Sequence, residues 1–176
     1  MFEPIIFREY DIRGVYNKQF DKDFAYLLGK AFAVYLSKQC LNQKLRVVIG
    51  HDARVSSPEI VAGLAKGLTE SGAHVIHIGL VTTPVCYFST FELENISGAI
   101  QVTGSHNPPE YNGFKISCGK STIFGAEIQK LRQIMNEGKY LQASPGTEET
   151  VDIFPLYISR YQKEFGRLQP IKVVID

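Results

Sequence analysis

The sequence predicts an α/β protein with three layers, α/β/α, built around a mostly parallel, mixed β-sheet. Three short runs rich in β-branched residues, 45–50, 74–79 and 98–103, predict strands, and segments with helical spacing of apolar residues separate them. The run at 45–50 is almost continuously apolar, which is typical of a strand buried on both faces. Consecutive strand–helix–strand units connect through right-handed crossovers, so these strands are expected to be parallel.

The helices are located by apolar spacing and by capping residues. Residues 21–39 carry apolar side chains at helical spacing along their length. In 56–72, Ser57 suits the N-cap, Pro58 suits the first helical position and Gly72 suits the C-terminal cap. Further helices are expected at 83–93, 125–137 and 156–165.

The last part of the chain predicts a domain boundary. Residues 142–150, QASPGTEET, have the composition of a polar linker. The final run IKVVID, 171–176, has the pattern of a buried strand, but one strand cannot form a sheet alone. We therefore expect a first domain at 1–150, and a linker helix with the first strand of a truncated second domain at 151–176.

Composition excludes several classes of function. Nineteen basic and eighteen acidic residues give a net charge of +1, so no strong field favours nucleic acid or an anionic membrane. No apolar run approaches the roughly 18–20 residues of a membrane span, and the N-terminus lacks the pattern of a signal peptide. Three widely spaced cysteines are typical of reduced thiols. The expectation is a cytoplasmic protein.

The segment GAIQVTGSHNPPEYNGFKIS, residues 98–117, carries the candidate site. Its strand ends at Gly104, and Pro108 with Pro109 prevents continuation as helix or paired strand. Asn112-Gly113 is a second turn signal, after which an extended segment is expected. Ser105, His106 and Asn107 are thus predicted on a stiff loop beyond a strand end, where α/β proteins usually bind ligands.

Phosphate chemistry fits this loop better than hydrolysis. The G-x-S-x-G turn of a serine hydrolase is absent, and a neighbouring histidine is poorly placed to deprotonate the preceding serine. A phosphoserine needs cations nearby, which Lys115, Arg8 and Arg13 offer. Two plainer interpretations remain: Ser105 as a loop serine that satisfies turn amides, and Arg13 in an ion pair with Asp11.

Three other patterns are weaker candidates for a site. GFKISCGKS, 113–121, resembles a phosphate-binding loop but has the wrong glycine spacing and a poor helix start, so it is rejected. His74 and His77 face opposite sides of a strand and cannot share a metal. Asp52 and Arg54 follow a strand end, where a loop-bracing salt bridge is favoured over a catalytic pair.

Four segments together resemble a known family. FREYDIRG, GHDARVSSPE, TTPV and above all TGSHNPPEYNGFK resemble the α-D-phosphohexomutases, in particular the bacterial phosphomannomutase/phosphoglucomutase branch. The match runs in order along nearly the whole chain. The resemblance implies a four-domain enzyme of which this chain is domain 1 and the opening of domain 2, packed against domains 2–4.

The resemblance also implies a mechanism. Ser105 would be the phosphorylated residue, and its phosphate would ligate Mg²⁺. The phosphoserine would donate its phosphoryl group to a hexose 1- or 6-phosphate, giving a hexose 1,6-bisphosphate. This intermediate would then return its other phosphoryl group to the serine. Lys115 is the candidate acid/base or charge stabiliser. His106 and Asn107 would shape the loop and contact the phosphoryl group or the substrate, and Tyr10 and Arg13 would face the substrate.

Alternatives within the same fold stay open. The sequence has no D-x-D-x-D cluster for Mg²⁺, which the family carries in domain 2, so this piece alone is expected to be inactive. One rival is a non-catalytic phosphosugar-binding module, and another is the phosphoglucosamine mutase branch. The loop TGSHNPPEYNGFK favours the mannose/glucose branch.

Overall fold

A computed structural model describes residues 2–41, 43–166 and 169–174. They form one mixed sheet of seven strands with helices on both sides. The strands are β1 (Ile12–Val15), β2 (Arg46–His51), β3 (His74–Leu80), β4 (Gly98–Val102), β5 (Tyr111–Cys118), β6 (Ser121–Thr122) and β7 (Glu148–Thr150). The helices are α1 (Lys22–Gln39), α2 (Ser57–Glu70), α3 (Thr83–Glu92), α4 (Ala126–Glu137) and α5 (Phe154–Phe165), with a 3-10 turn at Pro4–Ile6.

The strand order confirms the predicted α/β fold with a mixed sheet. The order is β1-β5-β4-β2-β3-β7, and β6 pairs with the end of β5. The strands β4, β2, β3 and β7 are parallel, whereas β5 runs antiparallel to both β4 and β1. The connection from β4 to β5 contains no helix, and a parallel return needs a long crossover, so β5 must reverse direction.

Alternate side chains of the strands build two cores, one on each face. Val47, Ile49 and Ile100 belong to the larger core, under α1, α2 and α4. Val48 and Ala99 belong to the smaller core, together with side chains of α3. This period of two gives the three-layer arrangement.

Two capping predictions have different outcomes. Ser57 is the first residue of α2 rather than its N-cap, which is Ser56, and the Ser57 hydroxyl donates to Asp52 instead. Gly72 follows the end of α2 with a positive φ of 85°, as predicted for a glycine there. For α1, the Asp21 carboxylate accepts a hydrogen bond from the Phe24 amide at 2.9 Å.

The predicted turn at Asn112-Gly113 is wrong, because both residues lie inside β5. They pair with Gly14 and Arg13 of β1, a strand that the sequence analysis does not predict. The Asn112 side chain is buried and donates to Ser56 Oγ at 2.9 Å and to the neighbouring Ser57 Oγ. A buried side-chain contact therefore overrides the local turn preference.

The predicted linker at 142–150 is also partly wrong, because its end forms β7 on the edge of β3. Two side-chain contacts join this strand to β3: His77 Nε2 lies 2.7 Å from a carboxylate oxygen of Glu148, and His74 Nε2 lies 2.8 Å from one of Glu149. The two histidines therefore contact different glutamates, in keeping with their positions on opposite faces of the strand.

Beyond β7 the chain packs lightly on the sheet. Ile153 is fully buried in the smaller core, and Tyr157 of α5 contacts Phe88 of α3 edge to face. Residues 171–174 are exposed and form no strand, while 175–176 lie outside the described residues. The predicted last strand is therefore not formed at 171–174, and the division into two domains stays a prediction.

Two remaining expectations concern membranes and thiols. No helix within the described ranges combines the length and apolar character needed to cross a bilayer. Cys40, Cys86 and Cys118 are free thiols, as expected. Burial raises the pKa of the Cys86 thiol to about 12, so it stays protonated at neutral pH.

Candidate functional site

The candidate site lies at the carboxyl edge of the parallel strands. The loop from Thr103 to Glu110 leaves the end of β4, and Asp52 directly follows the end of β2. Because these strands are parallel neighbours, their ends bring Asp52 and this loop, the Ser105 loop, together. The β4–β2 pairing thus positions the two segments in which the sequence predicts functional residues.

Ser105 is exposed at the tip of the Ser105 loop in a left-handed backbone conformation. Its φ is +53°, which is unusual for a residue other than glycine and costs on the order of 1–3 kcal/mol. Its amide donates to Thr103 Oγ1 at 2.9 Å, and its hydroxyl oxygen lies 3.4 Å from His106 Nδ1. The structure therefore presents the Ser105 hydroxyl to solvent and places one imidazole nitrogen beside it.

Asp11 joins two of the three predicted cations, Arg13 and Lys115. Its buried carboxylate contacts the Arg13 guanidinium and lies 3.4 Å from Lys115 Nζ. Arg13 Nη1 also donates to Asn107 Oδ1 at 2.5 Å. The predicted Arg13–Asp11 ion pair is thus present, and it does not withdraw Arg13 from the Ser105 loop. Two cations and one carboxylate leave this cluster one positive charge at neutral pH.

A cleft of about 590 Å³ runs beside this cluster. Three of the predicted site residues, Tyr10, Ser105 and Lys115, line it, whereas Arg13, His106 and Asn107 do not, and Arg8 is exposed. The other side chains that line it are Thr83, Pro84, Cys86, Tyr87, Ala99, Gln101, Ile116, Ser117 and Thr122. The cleft therefore combines an apolar wall with a cationic end that carries Ser105.

Asp52 is the hydrogen-bond centre beneath the Ser105 loop. It accepts from Ser57 Oγ at 2.7 Å, from Thr103 Oγ1 at 2.8 Å and from the amides of Arg54 and Gly104. Burial opposes ionisation of this carboxyl group, but these donors outweigh it and hold the pKa of Asp52 below its ordinary value. Arg54 Nε lies 3.1 Å from Asp52 Oδ2, so the predicted loop-bracing salt bridge is present.

Two features of the site escape sequence reasoning. The sequence pairs Asp11 only with Arg13; its contact with Lys115 depends on where Lys115 falls in β5, beside the unpredicted β1. Gln101 is buried in the cleft wall, where Nε2 donates to the Val81 carbonyl at 2.8 Å. The sequence signal for Asp11 is its spacing from Arg13, because residues two apart in an extended segment lie on the same side.

Two other kinds of site, a metal cluster and a phosphate-binding loop, can be compared with the described residues. Among them, no group of three or more His, Cys, Asp or Glu side chains could hold a metal ion. Residues 113–121 form β5 and the turn into β6 rather than a loop that opens a helix, so rejection of a phosphate-binding loop there is correct.

Comparison with known proteins agrees with this geometry. Residues 4–142 match the family model described as phosphoglucomutase/phosphomannomutase, alpha/beta/alpha domain I. A phosphomannomutase/phosphoglucomutase of Pseudomonas aeruginosa is 40% identical over 171 residues, and a phosphoglucomutase of Neisseria gonorrhoeae is 37% identical over 172. Both alignments cover 97% of this chain and 36% of the relative.

A solved structure gives the same result. A phosphoglucomutase/phosphomannomutase family protein from Burkholderia thailandensis superposes with a TM-score of 0.86 at 37% identity. The match covers 93% of this chain and 36% of that one. The chain thus spans about a third of the length of its relatives, and it belongs to the phosphoglucomutase/phosphomannomutase family, in which it corresponds to the α/β/α domain I.

Proposed function

We propose that the full-length protein is a cytoplasmic phosphohexomutase that interconverts hexose 1-phosphate and hexose 6-phosphate, with mannose or glucose as the sugar. The reaction passes through a phosphorylated Ser105 and a hexose 1,6-bisphosphate. One observation carries the proposal: the exposed Ser105 hydroxyl shares a cleft with Lys115, beside the Arg13–Asp11–Lys115 cluster.

The charge of the cluster suits a phosphoryl group. A phosphoserine carries about −1.5 to −2 charges at neutral pH, and the cluster supplies one net positive charge. Lys115 reaches into the cleft, and Arg13 contacts Asn107 of the Ser105 loop. In phosphoryl transfer the protein mainly aligns the groups and neutralises the equatorial oxygens. Lys115 and Arg13 are the groups that would do so here.

The transfer step exchanges one P–O bond for another. The free hydroxyl oxygen of the bound hexose phosphate attacks the phosphorus of phosphoserine 105, and the bond from phosphorus to Ser105 Oγ breaks. The sugar hydroxyl gives up its proton, and Oγ takes one up. Lys115, which lines the cleft with Ser105, is the residue proposed to transfer or stabilise this proton, and His106, whose Nδ1 lies 3.4 Å from Oγ, would shape the loop and contact the phosphoryl group. Tyr10 and Asn107 are the proposed sugar-phosphate contacts.

The family resemblance assigns a Mg²⁺ ion to the serine phosphate. Within the part of the chain that the structure describes, Ser105 is the one group proposed to contact that ion, and the carboxylates found there do not form a set of ligands. The residues present therefore do not fit a complete Mg²⁺ site. We propose that its remaining ligands belong to the full-length protein.

The test is removal of Ser105 from the full-length enzyme. Ser105→Ala should lower mutase turnover by at least about 10³-fold, as expected when a nucleophile is lost. The matched control is Ser144→Ala, an exposed serine in the segment before β7, which should leave turnover unchanged.

Mass spectrometry identifies the intermediate directly. After incubation with glucose 1,6-bisphosphate and Mg²⁺, we expect one phosphate on Ser105, and hexose phosphate should remove it. Undiminished turnover by Ser105→Ala would exclude the covalent intermediate. An unphosphorylated Ser105 in a protein that still binds hexose phosphate would favour a non-catalytic phosphosugar-binding module.

A further inference from the structure

The Arg54 side chain forms an unusual set of hydrogen bonds with the Ser105 loop. Nη1 donates to the carbonyls of Pro108 at 2.6 Å and Tyr111 at 2.9 Å. Nη2 donates to the carbonyls of Ser105 at 3.1 Å and Asn107 at 2.7 Å. Nε donates to Asp52, so each of the five N–H groups of the guanidinium has an acceptor.

This arrangement restrains the main chain of the Ser105 loop. Four of the acceptors are backbone carbonyls between residues 105 and 111, and only a planar fork of donors can reach them together. The guanidinium also packs against the backbone of Gly104, where an added Cβ would lie 2.3 Å from Arg54 Cζ. Gly104 therefore allows the close approach that puts Arg54 under the loop.

The Arg54 side chain is itself held in place by Asp52. The side chain is only 14% exposed, and Asp52, which orients Nε, is held in turn by Ser57 and Thr103. Since all of its donors are occupied, Arg54 has none left for a substrate phosphate. Its role must be to determine where the loop lies.

We propose that Arg54 is a positioning residue for phosphoryl transfer: it holds the Ser105 loop in the conformation that presents Ser105 to the cleft. The proposal rests on the proposed function. By fixing the Ser105 carbonyl, Arg54 stabilises the left-handed backbone of this residue, which local preference alone disfavours. The structure thus assigns to Arg54 an effect on the rate of transfer rather than on substrate affinity.

The experiment uses Arg54→Ala and Arg54→Lys in the full-length protein. Lysine keeps the charge and most of the stem but has a single nitrogen, so it cannot reach all the carbonyls. Both variants should lower kcat by about 10²-fold, the scale expected when a reacting group is misplaced by about 1 Å. KM for hexose phosphate should change by less than about threefold, because no substrate contact is lost. Added guanidinium ion at non-denaturing concentration should partly restore kcat in Arg54→Ala.

The matched controls are Arg46→Ala and Arg46→Lys. Arg46 starts the same strand, β2, that Arg54 follows, and it is also a partly buried arginine in an ion pair, with Glu149. These variants should keep the wild-type kcat and show no response to guanidinium ion. The Arg46 variants thereby show whether loss of any ion-paired arginine lowers kcat, or only loss of Arg54.

Hydrogen exchange provides a readout independent of activity. The amides of Asn107 and Tyr111 donate to the Gly104 and Pro108 carbonyls of the Ser105 loop. They should exchange faster in both Arg54 variants, and their exchange rates should stay unchanged in the Arg46 variants. Wild-type kcat in a folded Arg54→Lys, or a large rise in KM with normal kcat, would overturn the proposal. If wild-type protein never phosphorylates Ser105, the proposed function fails instead, and unchanged loop exchange would then refute the restraint by Arg54 as well.

Discussion

At the scale of single residues, one buried and one half-buried carboxylate organise the site. Asp11 joins Arg13 to Lys115, and Asp52 accepts hydrogen bonds from four residues around the Ser105 loop. Neither aspartate lines the cleft that contains Lys115. Each holds a cation or a loop that lies at or beside the proposed reacting group, Ser105. The residues proposed for chemistry thus depend on carboxylates one contact further away.

Asp52→Asn tests this dependence through pH. The pKa of Asp52 is lowered in the folded protein, so near its ordinary value of 3.8 the unfolded chain binds more protons. The stabilisation by ionised Asp52 is therefore complete above about pH 4 and is lost as the pH falls through the lower, folded pKa. We expect Asp52→Asn to reduce the free energy of unfolding by about 1–3 kcal/mol at pH 7. The deficit relative to wild type should shrink below pH 4.

Urea unfolding of the full-length protein between pH 7 and pH 3 measures this deficit. The matched control is Glu94→Gln, which changes an exposed carboxylate in the loop between α3 and β4. This variant should stay close to wild type throughout the range. A deficit for Asp52→Asn that is constant down to pH 3 would contradict the lowered pKa.

At this scale the sequence is informative where spacing is local. The pairs Asp52–Arg54 and Asp11–Arg13 each lie two residues apart, and that spacing alone is enough to predict both ion pairs. Lys115 joins Asp11 from more than a hundred residues away, through strand pairing that no local pattern encodes. Long-range register is the information that composition and periodicity lack.

At the scale of elements, β7 shows where local patterns mislead. Polar residues with proline and glycine predict a linker, yet Glu148–Thr150 forms a parallel edge strand. Because the strand is exposed, its side chains carry no apolar signal, and backbone pairing with β3 determines its structure. The buried strands β2, β3 and β4 lie where predicted, since their apolar runs record burial directly.

Gly146→Ala should displace β7. A Cβ at this position would lie 1.9 Å from the Ala73 carbonyl oxygen, and a backbone atom in the core cannot yield easily. We expect the overpacking to destabilise the protein by about 1–3 kcal/mol. The destabilisation should appear as local opening of the sheet edge at β7. The amides of Val75 and Val151, which donate to Thr147 and His77 across this edge, should exchange faster.

Hydrogen exchange of the full-length variant measures the effect on this edge. Gly138→Ala is the matched control: its added Cβ meets no neighbour within 4 Å, although the positive φ makes alanine locally unfavourable there. It should alter the end of α4 and leave β7 unchanged. Normal exchange at Val75 and Val151 in Gly146→Ala would show that β7 does not depend on this close approach.

At the scale of the whole molecule, the described residues supply only part of what the proposed reaction needs. They offer the proposed nucleophile and two cations at the edge of a sheet with cores on both faces, while α5 leaves apolar side chains such as Phe154, Tyr161 and Phe165 exposed. The described residues hold no set of metal ligands, and the chain spans 36% of the relatives' length. Transfer requires the sugar to be held in line with Ser105, and an open cleft provides little of this restraint.

We therefore expect a purified protein of residues 1–176 to show no mutase turnover with Mg²⁺ and glucose 1,6-bisphosphate. A cooperative thermal transition of the same sample is the control for folding, since loss of activity in an unfolded chain would say nothing about the site. Full-length protein assayed beside it should turn over many times. Multiple turnovers by a folded 1–176 protein would show that Ser105, Arg13 and Lys115 position a hexose phosphate without further domains, because each cycle requires the bisphosphate to be held while it reorients.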